Sequence, residues 1–248
     1  MSYDAAVAEM FDPAVLDATV DFLAELAART GRDHPSAFEL GIGTGRVALP
    51  LSRRGVRVHG VDLSAAMVEQ LQRKPGAADI DVTIGDFATV TVGATFDLAY
   101  LVFNTIMNLT SQDEQVACFR NAARHLEPGG HFVIEVSVPG LRRLPPGETF
   151  QPFTVTPVRV GIDEYDVVNQ GLVSHHYRAD LGDLQVQSTP FRYVWPAELD
   201  LMARLAGMTL VERWGDWNRE PFTADSDKHV SVWQRREPAG GRPTPSDQ

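Results

Sequence analysis

Three glycines at alternate positions, Gly41, Gly43 and Gly45, follow directly on the short run Ser36–Leu40, and an acid, Asp62, closes the next apolar stretch. A ligand lying against main chain leaves no room for a Cβ, and a turn that needs positive φ favours glycine, so this spacing suits close backbone approach. A carboxylate at the end of a second strand can accept two hydrogen bonds from the vicinal hydroxyls of a ribose. The implied ligand is nucleoside-like. The dinucleotide fingerprint needs its third glycine three positions after the second, where this chain has Arg46, and that departure disfavours NAD or FAD.

A second set of reactive side chains lies far downstream. In a strand over Gly171 to Asp180, period-two geometry puts Val173, His175 and Tyr177 on one face and Ser174, His176 and Arg178 on the other. The first face is the more apolar and is expected to point inward, leaving His176 solvated. His175 and Tyr177 then become candidates to orient or deprotonate a hydroxyl or amine, with core packing as their alternative role. Arg192, on the following strand, is a candidate for an anionic group. The single cysteine, Cys118, falls in a helical pattern and reads as a buried thiol. Metal-ligand spacing is absent.

The elements that must hold these residues are legible as a βαβ series. After the glycines, Val47, Ala48 and Leu51 make an apolar stripe up to Arg53 and Arg54, and Gly55 sits at a helix C-terminus. Val56, Val58 and Val61 make the next strand. Ser64 is a helix N-cap, and Lys74-Pro75-Gly76 stops that helix. Asp81 to Ile84 and the near-continuously apolar Phe96 to Asn104 are further parallel strands. Thr110 or Ser111 caps a helix whose Glu114 completes a capping box. Pro128-Gly129-Gly130 is expected to end it before a strand over His131 to Val138. From Leu141 to Val194 the alternation gives way to an antiparallel insertion, with strands Gly171 to Asp180 and Asp183 to Val194. A helix Ala197 to Ala206 and strands Met208 to Trp214 and Lys228 to Gln234 follow.

At ELGIGTGR, at the VDLS of Val61 to Ser64, and at Gly85-Asp86-Phe87 the chain resembles the class I S-adenosylmethionine-dependent methyltransferases. The layout is similar to small-molecule members of the sugar-amine N-methyltransferase type, which carry an inserted β lid. The resemblance implies a doubly wound, mostly parallel seven-stranded α/β sheet with an edge hairpin, its core over residues 1–140 and 195–236 and its lid over 141–194. Residues 237–248, rich in Pro and Gly, are expected to be disordered. The implied cofactor is S-adenosylmethionine, with S-adenosylhomocysteine as product. The implied cofactor set is Tyr3, Phe11, Glu39, Gly41, Gly43, Gly45, Asp62, Leu63, Met67, Asp86, Phe87 and Phe103. Asp62 would hold the ribose, Asp86 and Phe87 the adenine, and the Phe103 carbonyl the cofactor ammonium. Asn104 and Asn108, with Arg192, would serve the acceptor, although Asn104 could equally cap its loop.

Composition bounds the partners. Net charge is −11, and two lysines accompany twenty arginines, so nucleic acid is a poor expectation. No apolar run approaches a membrane span and no basic-plus-apolar leader is present, which makes a cytoplasmic protein the default expectation. The expected partner is a small-molecule acceptor, methylated on N or O; a homodimer is compatible with that. Two rival readings stand beside it: a non-catalytic binder on the same fold and a nicotinamide oxidoreductase, against which Arg46 speaks.

Overall fold

The computed structural model describes residues 13–180 and 183–237. Tyr3, Phe11 and the tail after Glu237 lie outside them. Helix α1 (Pro13–Ala28) leads into strand β1 (Ser36–Leu40), followed by α2 (Ala48–Arg53), β2 (Arg57–Asp62), α3 (Ala65–Gln72), β3 (Asp81–Ile84) and β4 (Phe96–Leu101). Then come α4 (Gln112–His125), β5 (Leu126–Ser137), β6 (Phe150–Thr156), β7 (Arg159–Asp166), β8 (Gly171–Asp180), β9 (Asp183–Arg192), α5 (Pro196–Leu205), β10 (Met208–Trp214) and β11 (Lys228–Arg235).

Seven strands form one sheet in the order β10-β11-β5-β4-β1-β2-β3. It is a doubly wound α/β sheet in which β11 pairs antiparallel with both β5 and β10 while the other pairings are parallel. Every residue of β1 and of β4 is buried, as strands covered on both faces require. One apolar cluster joins α1 and α2 to the sheet through Leu23, Leu26 and Leu51. The other joins α4 and α5 through Phe119, Leu199, Met202 and Trp233. The buried Asp97 carboxylate accepts from the Ser36 amide (2.9 Å) and hydroxyl (3.0 Å), tying the start of β4 to the start of β1.

Two local readings need correction. Helix α4 carries the expected capping box at Ser111 and Glu114 but ends at His125, and β5 begins at Leu126 and runs through Pro128-Gly129-Gly130. Leu126 already pairs with Phe96, and the register shift between Phe96 and Leu98 absorbs the extra residues. A Cβ on Gly130 would stand 2.9 Å from the Glu127 carbonyl oxygen, so the glycine keeps the strand continuous there. The insertion also contains two further strands. Strands β6 to β9 form a four-stranded antiparallel sheet in sequence order.

Arg192 ends β9 inside the molecule rather than at a ligand surface. Its guanidinium is buried, pairs with Glu198 at 2.7 Å and donates to the Gln115 side chain. Burial alone would raise the Glu198 carboxyl, but hydrogen bonds from Arg192, Gln170 and Gln112 hold it below the usual carboxylate range. The pair therefore locks β9 to α4 and α5. Arg192→Met should lower unfolding stability by ~3 kcal/mol, because an uncompensated carboxylate and amide remain behind. Urea denaturation measures this, and a loss below ~1 kcal/mol would show that the pair is dispensable.

Candidate active site

The strand order reverses between β1 and β4, and a crevice opens at the carboxyl ends of the parallel strands there. A cavity of about 360 Å³ fills it, lined among others by Glu39, Gly41, Gly43, Asp62 and Leu63 from β1, β2 and the loops that follow them, and by Met67 of α3. Asp86, Phe87, Phe103 and Asn108 close the remaining walls. These residues, far apart in sequence, meet because each follows a neighbouring strand.

Asp62 organises the glycine turn before any ligand arrives. Its carboxylate accepts from the Gly43 amide at 2.7 Å through one oxygen and from the Ser64 amide at 2.8 Å through the other. Each oxygen keeps a further lone pair, so a diol can still be held. Gly41 and Gly43 take φ of +82° and +55°, and a Cβ at Gly41 would come within 2.8 Å of the Thr105 methyl. Gly45 does not line the cavity. Its Cβ would collide with Leu71 at 2.2 Å, so this glycine serves the packing of the loop on α3. Asp86 caps its own turn, accepting from the Ala88 amide and the Thr89 hydroxyl at 2.9 and 3.0 Å.

Glu39 is buried, accepts from the Tyr100 hydroxyl at 2.9 Å, and has its pKa pushed up to about 8 by burial. Tyr100 and the Arg46 guanidinium counteract part of that rise. The ionisable set of the cavity is thus three carboxyl groups, Glu39, Asp62 and Asp86, with one guanidinium, Arg46, over the Phe103 ring at 5.0 Å. It fits a ribose-bearing ligand with excess positive charge, which matches a sulfonium amino acid nucleoside.

Past β4 the chain turns sharply. Phe103 and Asn104 both adopt left-handed backbone, with φ of 61° and 59°. Glu135 holds the turn, its side chain accepting from the Phe103 amide (3.1 Å) and its carbonyl from the Asn104 amide (3.2 Å), while Lys228 neutralises it at 3.3 Å. Asn104 accepts from the Ser137 amide at 2.7 Å, so its side chain secures the loop. The sequence leaves the role of Glu135 open because its strand position reads as ordinary sheet; the structure makes it the residue that positions the turn.

A second cavity, of about 800 Å³, lies under the antiparallel sheet and shares Phe103, Thr105 and Asn108 with the first. Its sheet wall is the face opposite to the one expected. Ser174, His176 and Arg178 line it, together with Asp163 and Tyr165 of β7. His175 points away, bonded to Ser188 (2.8 Å) and Glu164 (3.1 Å), with Tyr177 stacked beside it. The cause is the register: Leu172 and Tyr165 are drawn into the main core, which sets the parity of the whole strand and turns the polar set inward. Burial, then the Arg159 and Arg178 charges, lowers the His176 pKa. Burial raises that of Asp163, against a hydrogen bond from Ser174.

Residues 37–130 match a family model described as a methyltransferase domain. Over 94% of this chain and 98% of the relative, the sequence is 28% identical to a cypemycin N-terminal methyltransferase of a Streptomyces species. The structure of the CcbJ methyltransferase from Streptomyces caelestis superposes with a TM-score of 0.81 at 36% identity, covering 95% of this chain and 96% of that one. CalS10, an amino pentose methyltransferase from Micromonospora echinaspora with S-adenosylmethionine bound, shares the fold at a TM-score of 0.71 and 21% identity, over 94% and 96% of the two chains.

Because Asp62 also holds the glycine turn through both oxygens, its removal to alanine would loosen the loop as well as the ligand site, so Asp62→Asn, which keeps one of the two acceptors, is the milder variant. It should weaken S-adenosylmethionine binding by roughly 1.5 to 3 kcal/mol with folding retained, and unchanged affinity in calorimetric titration would contradict the ribose assignment. Glu39 makes a second, pH-dependent case. Its folded pKa lies above the unfolded value of 4.5, so the stability of the ligand-free protein should fall as pH rises from 4.5 towards 8, by up to about 1.4 kcal/mol per pH unit. Glu39→Gln should remove that component of the slope, which denaturation at several pH values would detect.

Proposed function

The chain belongs to the S-adenosylmethionine-dependent methyltransferases, and on that premise we propose that it methylates a nitrogen of a small-molecule acceptor held under the antiparallel sheet. The observation that carries the reading is the junction of the two cavities at Phe103, Thr105 and Asn108. A donor in the smaller cavity and an acceptor in the larger one face each other across that loop. The relative described as an N-terminal methyltransferase supports nitrogen over oxygen.

S-adenosylmethionine supplies an activated methyl group, so the protein's task is alignment, exclusion of water and disposal of one proton. Asp62 receives the ribose hydroxyls; Asp86 and the Phe87 amide receive the adenine edge; Leu63 and Met67 flank the ring. The Phe103 carbonyl, turned by the left-handed backbone, and Glu39 take the amino acid end. The antiparallel sheet acts as a lid, with Asp163, Tyr165 and His176 aimed at the acceptor. An amine attacks only when neutral. His176, kept neutral near pH 7 by burial and two guanidinium groups, can accept the proton an ammonium must shed. Asp163, with its raised pKa, is the second acceptor within the same wall.

The test is formation of S-adenosylhomocysteine by the full chain with paired amine and alcohol acceptors of the same skeleton. Turnover of amines alone is expected, and turnover of alcohols alone would overturn the nitrogen assignment. For an accepted amine, Asp163→Asn and His176→Gln should each lower kcat by about tenfold to a hundredfold while S-adenosylmethionine affinity stays at the wild-type value. Wild-type kinetics in both would return the two residues to scaffolding.

A further inference from the structure

The wall of the acceptor cavity is graded along its length. Pairing of β7, β8 and β9 sets its residues in rungs: Tyr165, Leu172 and Phe191 nearest the core, then Asp163, Ser174 and Thr189, then His176 and Gln187 across from Gly161. The far rung is Arg159, Arg178 and Gln185. Apolar side chains thus line the end nearest the core, an acid follows, and two guanidinium groups close the distal end. Asp163 and Arg159 are four residues apart on one strand, which places their rungs about 13 Å apart.

Arg159 and Arg178 stand directly opposite each other on neighbouring strands, an arrangement that repels. Among the described residues neither takes part in an ion pair. The side-chain partner Arg159 does have is the neutral His176 ring, at 3.5 Å from Nη2, and its own Nε is buried with no hydrogen-bond acceptor. Two like-charged groups lining one cavity, Arg178 exposed and Arg159 half-buried with an unused Nε donor, form a receptor for negative charge, and guanidinium forks match the geometry of a carboxylate or phosphate.

We propose that Arg159 and Arg178 form an oxyanion subsite, so that the methyl acceptor is elongated and carries a carboxylate or phosphate at the end remote from its reacting nitrogen. This rests on the reading that the larger cavity holds the acceptor. Asp163 and the arginine pair then recognise the two ends of one zwitterionic or amino-anionic molecule, and the spacing of the rungs sets the length accepted. The oxyanion also offsets the repulsion between the two arginines, so an acceptor without it leaves that cost in place.

His176 lies between the ends and reports on the subsite. Its imidazole signal, assigned by comparison with His176→Gln, is to be followed by NMR pH titration of the full chain with inorganic phosphate and, separately, with acetate. Anion binding should raise the His176 pKa saturably, with an apparent affinity at least about tenfold weaker in the Arg159→Gln/Arg178→Gln double variant. The Arg159→Lys/Arg178→Lys variant, which keeps the charge and loses the fork, should retain an intermediate response. A response to phosphate alone, or to acetate alone, supports the subsite and names its oxyanion. Absence of a saturable shift with either anion, or an unchanged response in the glutamine variant, overturns it. S-adenosylmethionine titration of the same samples separates the two readings: intact cofactor binding without an anion response removes the subsite and leaves the methyltransferase assignment standing. An anion response in a chain that binds no cofactor would count against the assignment instead.

Discussion

Two consecutive non-glycine residues in the left-handed region, Phe103 and Asn104, are the constraint around which the functional half of the molecule is arranged. Each costs on the order of 1 kcal/mol or more relative to ordinary backbone and persists only when its surroundings over-determine it. Here they do. Glu135 accepts from both amides, Asn104 reaches back to Ser137, and Lys228 on the antiparallel strand β11 pairs with Glu135 and holds it in place. The turn directs the chain out of the sheet at the point where the two cavities meet. Were it relaxed to extended backbone, the loop from Thr105 to Asn108 would no longer stand between them.

Charge is distributed on either side of that turn in opposite senses. The smaller cavity is lined by the acids Glu39, Asp62 and Asp86, with the Arg46 guanidinium over the Phe103 ring. The larger cavity ends in Arg159 and Arg178. A protein of net charge −11 has thus placed a local positive site where diffusing cations are least welcome and an anionic group most so. Glu39, protonated near neutral pH by burial, gives the cofactor cavity an acid that becomes fully charged only beside a cation.

The antiparallel sheet depends on the parallel one for more than attachment. Leu172 and Tyr165 enter the main core, and Arg192, one rung beyond Leu172 at the same end of the sheet, is clamped by Glu198 and Gln115. Those anchors fix which face of β8 looks into the cavity. The side chains that line the larger cavity are therefore set by where the sheet is anchored in the main core.

The amino-acid sequence by itself determined the family, the parallel character of the central strands and the segments that line the smaller cavity, because these depend on local signals: alternating glycines, Asp62 at a strand end, Ser111 with Glu114 at a helix start. Such signals act within a few residues, where backbone sterics and hydrogen bonding decide the outcome. Tertiary structure alone decided the rest. Gly45 reads like its two neighbours in sequence, yet Leu71, from a helix that follows the next strand, turns it into a packing glycine. Arg192 reads as a free cation until α4 and α5 bring Gln115 and Glu198 to it. His175 and His176 exchange roles because strand parity has period two and is set by residues at the far end of the strand, and because a cavity for a polar ligand inverts the rule that the apolar face points inward.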